Sequence, residues 1–167
     1  MPAPLDPICL FAVLAEHRVE YVLVGGMAAV LHGSPTFTGD ADIVPSPTPD
    51  NLVRLSAALS DLNARIRSLA DPDGIAFDPH PELLASMAML NLTTRCGDLD
   101  LTFTPAGTGG YDDVVEGAIV FDVDGTRVPV ASLDDVIHSK RMADRPKDRA
   151  VLPVLEALRD EIRRLEN

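Results

Sequence analysis

The chain has 167 residues, a length typical of one domain, and 46% of them are hydrophobic, which is enough for a substantial core. Its 14 Lys and Arg against 26 Asp and Glu give a formal charge of −12, which argues against a broad nucleic-acid-binding surface. No apolar run approaches the length of a membrane span, and the N-terminus lacks the charged start of a signal peptide. We therefore expect a cytoplasmic protein with no membrane partner.

The two cysteines, Cys9 and Cys96, lie in apolar segments and lack metal-type spacing. Two buried thiols in a cytoplasmic protein are the simpler interpretation, although the sequence leaves a disulfide open.

The first third of the chain predicts a helix, a strand and a short second helix. Residues 6–16 predict a helix with Asp6 as its N-cap and Pro7 at its first position. Residues 21–24 predict a buried strand that ends at a glycine pair, Gly25 and Gly26, and residues 26–32 predict a short helix. The glycines would allow close backbone approach to phosphates, at a helix N-terminus that favours anions.

Asp40 and Asp42 follow in a second short strand, where a spacing of two residues places both carboxylates on one face. Adjacent carboxylates repel each other unless a cation lies between them. Hard oxygen ligands in so small a cluster suit Mg²⁺, with Mn²⁺ as a possible substitute, and substrate phosphates would supply further ligands. A packing turn at the glycines and two solvated aspartates are the alternative interpretation.

The middle of the chain predicts a capped helix after residue 48, a turn at 71–74, a short helix over 81–87, and strands over 90–94 and 98–103. In the last strand Asp98 and Asp100 share one face, opposite the leucines.

The last third predicts a helical turn over 111–116, a hairpin of strands 118–123 and 127–130, and two helices over 133–142 and 146–165. The element order predicts an α/β (α+β) fold, a mixed central β-sheet flanked by helices with a C-terminal helical pair. We expect a single domain, 1–167, in which 132–167 is the C-terminal helical part.

Lys140 lies on the apolar stripe of the first C-terminal helix, and Asp148 extends the stripe of the second. A lysine on a core-facing stripe is unusual. The pattern fits a partly buried ion pair between Lys140 and Asp148, and it equally fits a lysine that binds nucleotide phosphates.

The glycine pair followed by Asp-x-Asp resembles the pattern of the nucleotidyltransferase (DNA polymerase β-like) superfamily. The segments that contain Lys140 and Asp148 look like the C-terminal motif of AbiEii-type nucleotidyltransferases, including the MenT toxins. The resemblance spans about residues 21–158. It implies a nucleotidyltransferase fold and nucleotide binding by Gly25, Gly26, Thr38 and Lys140. It also implies a metal site of Asp40, Asp42 and a third carboxylate from a later strand. Asp100, which lies between two leucines, fits the family's apolar-Asp-apolar form and is our first choice, and Asp98, which follows glycine, is the second. The resemblance also implies that Lys140 and Asp148 are needed for catalysis.

The same resemblance implies a toxin of a toxin–antitoxin pair that transfers NMP from an NTP to the 3′ end of tRNA and so blocks aminoacylation and translation. A cognate antitoxin would be its partner, and in the MenT group the hydroxyl residue at the position of Thr38 can be phosphorylated by that antitoxin. A basic cluster near Lys140 is a solvated helix corner or an RNA-end contact; it consists of Arg141, Arg145, Lys147 and Arg149.

Two alternatives remain open at the level of the sequence. A nucleotidyltransferase of this fold could instead modify a protein hydroxyl or a small molecule, and the charge of −12 favours these acceptors over RNA. A catalytically inactive binding module is the third hypothesis, against which the intact aspartates and Lys140 argue.

Overall fold

The computed structural model describes residues 2–167 and contains seven strands and seven helices in that range. The strands are β1 (Tyr21–Val24), β2 (Asp40–Pro45), β3 (Arg65–Ile66), β4 (Met89–Thr94), β5 (Gly97–Thr102), β6 (Ile119–Val123) and β7 (Thr126–Val130). The helices are α1 (Pro7–Glu16), α2 (Gly25–Leu31), α3 (Pro49–Asp61), α4 (Pro81–Ser86), α5 (Tyr111–Glu116), α6 (Leu133–Ala143) and α7 (Pro146–Glu166).

All seven strands form one mixed sheet in the order β3-β4-β5-β2-β1-β7-β6. Central strand β2 pairs antiparallel with β1 and parallel with β5. The parallel register places Asp40 beside Asp98 and Asp42 beside Asp100. The mixed sheet and the C-terminal helical pair confirm the predicted fold class, and the register brings acidic residues from distant parts of the chain together.

Local signals in the sequence determine where several elements begin and end. The side chain of Asp6 accepts a hydrogen bond from the Cys9 amide at 3.1 Å and caps α1, and Ser132 caps α6 through the Asp135 amide, also at 3.1 Å. Between β6 and β7, Asp124 and Gly125 both have positive φ, as a two-residue hairpin turn requires.

Several element bounds differ by one residue from the sequence-based expectations, and one strand was missed. Helix α2 begins at Gly25 rather than Gly26. Strand β3, which pairs antiparallel with β4, was not predicted, because two residues are too short to show an alternating pattern.

The expectation of two free thiols was wrong, because Cys9 and Cys96 form a disulfide. The bond joins α1 to the turn between β4 and β5, and Cys96 is buried. The guanidinium of Arg95 lies 3.6 Å from the Cys9 sulfur and also bonds Asp61 at the end of α3. Together these contacts fasten the N-terminal helix to the strand pair that carries Asp98 and Asp100.

Buried leucine, valine and isoleucine side chains from both faces of the sheet form one continuous core. In that core α1 contacts α3 and β7, while α2 contacts β1, β2 and α6. Helix α2 and the C-terminal pair are thereby held next to the end of β2 that carries the aspartates. Within residues 2–167, no helix combines the length and the apolar character that crossing a membrane requires.

Candidate metal and nucleotide site

Three carboxylates converge where β2 and β5 lie side by side. Asp40 and Asp42 project from β2 and Asp100 from β5, and one oxygen of each lies within 4.8 Å of the others. All three residues are partly buried. The two-residue period of β2 aligns the first two carboxylates, and the parallel register with β5 supplies the third. A set of clustered carboxylate oxygens matches the ligand preference of Mg²⁺.

The electrostatics of the cluster favour a cation. Burial raises the pKa of Asp42 to about 7, and the negative charges of Asp40 and Asp100 add to the effect, while the positive charge of Lys140 opposes it. Burial also raises the pKa of Asp100, and the charge of Arg67 opposes that shift. Because three carboxylates this close destabilise one another when ionised, a divalent cation among them would relieve the repulsion.

Asp98, our second choice for the third carboxylate, lies outside this cluster. One of its oxygens is 3.3 Å from Nε of Arg67. Nη2 of the same guanidinium donates to Asp100 Oδ1 and to the Leu92 carbonyl, each at 2.9 Å. Arg67 therefore bridges the two aspartates of β5, and only Asp100 reaches the pair on β2.

The glycine pair provides space beside the carboxylates. Gly25 has φ +70°, and a Cβ there would overlap Oδ2 of Asp42. A Cβ at Gly26 would lie 3.1 Å from Oγ1 of Thr38, which itself donates to the Asp40 carbonyl at 3.1 Å. The absence of side chains at both positions keeps the backbone close to Asp42 and Thr38.

Lys140 and Asp148 form the ion pair that the sequence left open, with Nζ 3.7 Å from Oδ1. Asp148 is 1% exposed and is also bound by Arg145, whose Nε lies 2.7 Å from Oδ2 and whose backbone amide donates to the same oxygen at 3.2 Å. Burial opposes ionisation of Asp148, but the hydrogen bonds and charge of Arg145 and the charge of Lys140 outweigh it and lower its pKa. The ion pair does not exclude a phosphate-binding role, because Lys140 lies on the cleft and its charge acts on Asp42.

One cleft of about 810 Å³, a size typical of small-molecule sites, is lined by the three clustered carboxylates, the glycine pair, Lys140 and Asp148. One side carries the cations of α6 and of the start of α7, namely Lys140, Arg145 and Lys147. The opposite side is formed by Arg67 and the neighbouring strands, including Met89, Asn91, Asp100 and Thr102. The charges beside β4 and β5 are paired with each other, because Arg67 is bound to Asp98 and Asp100.

Arg67 was not among the predicted site residues. No signal in the sequence points to it, because it follows a strand of two residues and its contacts depend on the pairing of β4 with β5. The basic cluster that the sequence did reveal is mostly neutralised: Arg141 pairs with Glu156 at 2.6 Å and Arg149 with Asp144 at 2.8 Å. Lys147 makes no ion pair within residues 2–167.

The fold of the chain is similar to the folds of several solved structures. The lincosamide antibiotic adenylyltransferase LnuA, in its lincomycin-bound form, is 15% identical with a TM-score of 0.59, over 93% of this chain and 99% of that one. The antibiotic-resistance factor ANT(2″)-Ia is 16% identical with a TM-score of 0.52, over 94% of this chain and 89% of that one. An antigenic nucleotidyltransferase-like protein from Paracoccidioides brasiliensis is 15% identical with a TM-score of 0.53, over 93% of this chain and 78% of that one.

The chain has a nucleotidyltransferase fold. No protein-family model matches the sequence, and no curated protein does. The expected fold is therefore confirmed, while the resemblance to AbiEii and MenT toxins rests on the sequence motifs alone.

Proposed function

We propose that this protein is a nucleotidyltransferase that transfers NMP from an NTP to a hydroxyl group of an acceptor and releases pyrophosphate. The observation that supports this most directly is the convergence of Asp40, Asp42 and Asp100 in a cleft that also contains Lys140. The clustered oxygens, the mutual repulsion and the adjacent cation are the features that binding of a metal–triphosphate complex requires.

In this proposal Asp40, Asp42 and Asp100 hold Mg²⁺ or Mn²⁺. Such an ion, when bound, neutralises charge on the nucleotide phosphates and orients them. Gly25 and Gly26 leave room for the phosphates beside Asp42. Lys140 stabilises negative charge on the departing pyrophosphate, and Asp148 and Arg145 hold Lys140 in place.

The reaction forms a bond between the acceptor oxygen and the α-phosphorus and breaks the bond from that phosphorus to the pyrophosphate. The acceptor hydroxyl loses its proton in this step. Asp100 either completes the metal site or accepts that proton at a carboxylate oxygen, since it belongs to the carboxylate cluster and also lines the cleft beside β4. In this proposal the acceptor approaches from the side of β4 and β5.

We propose the 3′ end of tRNA as the acceptor, which makes the chain a toxin with a cognate antitoxin. The motif resemblance supports this choice, as do the cations at the cleft, where Lys147 makes no ion pair within residues 2–167 and Arg145 is 56% exposed. Positive side chains beside a metal site can bind the backbone phosphates at an RNA end even in an acidic protein.

We propose Thr38 as the site of antitoxin control. Its hydroxyl lines the cleft and lies 3.5 Å from Oδ1 of Asp40. A phosphate there would add negative charge beside the carboxylates and block the metal site. If a Thr38→Val variant remained fully sensitive to the antitoxin, this mode of control would be wrong.

A small-molecule or protein hydroxyl is the second candidate for the acceptor, and two observations favour it. The net charge is −12, and the only cation among the residues that line the side of β4 and β5 is Arg67, which is bound to Asp98 and Asp100. The structurally similar LnuA and ANT(2″)-Ia act on or bind antibiotics.

One labelling experiment separates these candidates. The purified protein is incubated with Mg²⁺ and each α-labelled NTP, and with total tRNA, total protein or a panel of hydroxylated small molecules, beside an Asp42→Ala control. Label on tRNA that Asp42→Ala abolishes would support the toxin. Label on protein or on a small molecule would move the assignment to the second candidate. Label in no fraction together with unaltered nucleotide binding by Asp42→Ala would refute metal-dependent nucleotidyl transfer.

A further inference from the structure

Among residues 2–167, Arg67 is the one cation that forms an ion pair with Asp100, the third carboxylate of the cluster. Its Nη2 lies 2.9 Å from Oδ1 of Asp100, and its Nε lies 3.3 Å from Asp98. Its guanidinium also donates to the Leu92 carbonyl, and its backbone amide donates to the Asn91 carbonyl, each at 2.9 Å. All four contacts are to groups on β4 and β5, and the three besides Asp100 hold the arginine itself in place.

We propose that Arg67 is a positioning residue for nucleotidyl transfer: it occupies Oδ1 of Asp100, so that Oδ2 alone is available to the cation and the acceptor hydroxyl. The inference rests on the proposed function of the site. A carboxylate with two free oxygens can bind a cation through one or both of them, whereas a carboxylate with one oxygen held by arginine binds through the other.

The geometry distinguishes positioning from a general structural role, because a second arginine two residues earlier, in β3, provides a comparison. Arg65 donates to the backbone carbonyls of Asp73 and Gly74 at 2.9–3.1 Å and contacts none of the three clustered carboxylates. Replacing Arg65 removes a guanidinium of similar burial from β3 and leaves Asp100 untouched. Arg65→Met is therefore the matched control for Arg67→Met.

Arg67 pairs with Asp100 beside β4, whereas Lys140 on α6 pairs with Asp148, so two kinetic effects can be separated. For Arg67→Met we expect kcat to fall by about 10- to 100-fold, the range typical for loss of a residue that orients a metal ligand. The KM for NTP should change by less than about threefold, because the cationic side of the cleft is intact. Arg65→Met should leave both values unchanged.

A second readout does not depend on the acceptor. Mg²⁺ requires near-ideal octahedral ligands, whereas Ca²⁺ accepts carboxylates that bind through both oxygens. Freeing Oδ1 of Asp100 should therefore favour Ca²⁺ over Mg²⁺. Loss of the arginine charge alone would instead raise the affinities for Mg²⁺ and Ca²⁺ by similar factors and leave their ratio unchanged.

The experiment measures Mn²⁺ binding to the full-length protein by electron paramagnetic resonance, with Mg²⁺ and Ca²⁺ as competitors. We expect Arg67→Met to shift the Mg²⁺:Ca²⁺ affinity ratio by at least about threefold toward Ca²⁺, and Arg65→Met to leave it unchanged. An unchanged ratio in Arg67→Met, or an equal shift in Arg65→Met, would overturn the proposal.

If Arg67→Met does not fold, Arg67→Lys tests the positioning role instead. Lysine keeps the charge but cannot contact Asp98, Asp100 and the Leu92 carbonyl together. A shifted cation ratio in Arg67→Lys supports positioning, and a wild-type ratio refutes it. Failure of the proposed function has a separate signature: Mn²⁺ affinity would then be unchanged in Asp42→Ala.

Discussion

Reduction of the Cys9–Cys96 disulfide should destabilise the protein by several kcal/mol. The two cysteines are separated by 87 residues, so the bond closes a loop that contains four of the seven strands. In the chain-entropy description a loop of this length removes about 15 cal/mol/K from the unfolded state, or about 4.5 kcal/mol at 25 °C. For a domain of this size that corresponds to a fall in Tm of about 9 to 18 °C.

Urea unfolding followed by circular dichroism measures this difference directly. The oxidised protein is compared with protein that was reduced in denaturant and refolded with reductant present, because Cys96 is buried and reacts slowly in the native state. The Cys9→Ser/Cys96→Ser double variant serves as the control, and its unfolding should be the same with and without reductant.

Two results would contradict this reasoning. A difference below about 1 kcal/mol in protein whose bond is verified by mass spectrometry would mean that the reduced unfolded chain is already restricted to a similar extent. Detection of two titratable thiols in denatured, unreduced protein would show that the disulfide does not form.

Three further predictions concern the site. Gly25→Ala should lower stability by about 1–3 kcal/mol and weaken Mn²⁺ binding, because alanine is strained at φ +70° and its Cβ would overlap Asp42. Gly39→Ala is the control, since a Cβ there meets nothing within 4 Å, and it should change neither stability nor Mn²⁺ binding. Asp42→Asn should raise the Tm of the metal-free protein, because it removes repulsion from a crowded cluster, and should abolish any stabilisation by Mg²⁺; a lower metal-free Tm would contradict this. Asp148→Asn should destabilise the protein by about 2–4 kcal/mol in thermal unfolding, because it leaves Lys140 without its buried partner. A change below about 0.5 kcal/mol would show that the ion pair does not contribute to stability.

The fold was predictable because its signals are local. Caps at Asp6 and Ser132, the glycine pair and the Asp124-Gly125 turn each depend on a few consecutive residues, and the structure places helix starts and a turn at all of them. Strand β3 was missed because pairing with β4, rather than its own two residues, makes it a strand.

The candidate site was predictable only where residues share a strand or a helix. Asp40 and Asp42 were paired by the period of a single strand, and Lys140 was found by its place on a helical stripe. The contact between Arg67 and Asp100 could not be predicted, because it depends on how three neighbouring strands are aligned. The disulfide was missed for the same reason, since only the folded chain brings α1 to the turn between β4 and β5.

The parallel pairing of β2 with β5 has a consequence for how the protein folds. Antiparallel neighbours β1 and β2 can pair early, but Asp42 meets Asp100 only after the chain has passed through α3, β3, α4 and β4. Such non-local pairing slows folding, because the chain loses entropy on closing the loop before the stabilising contacts form. A cation that needs all three carboxylates would bind only the chain in which β5 has docked, so it would stabilise the finished sheet and not its precursors. Mg²⁺ should therefore slow unfolding far more than it accelerates folding.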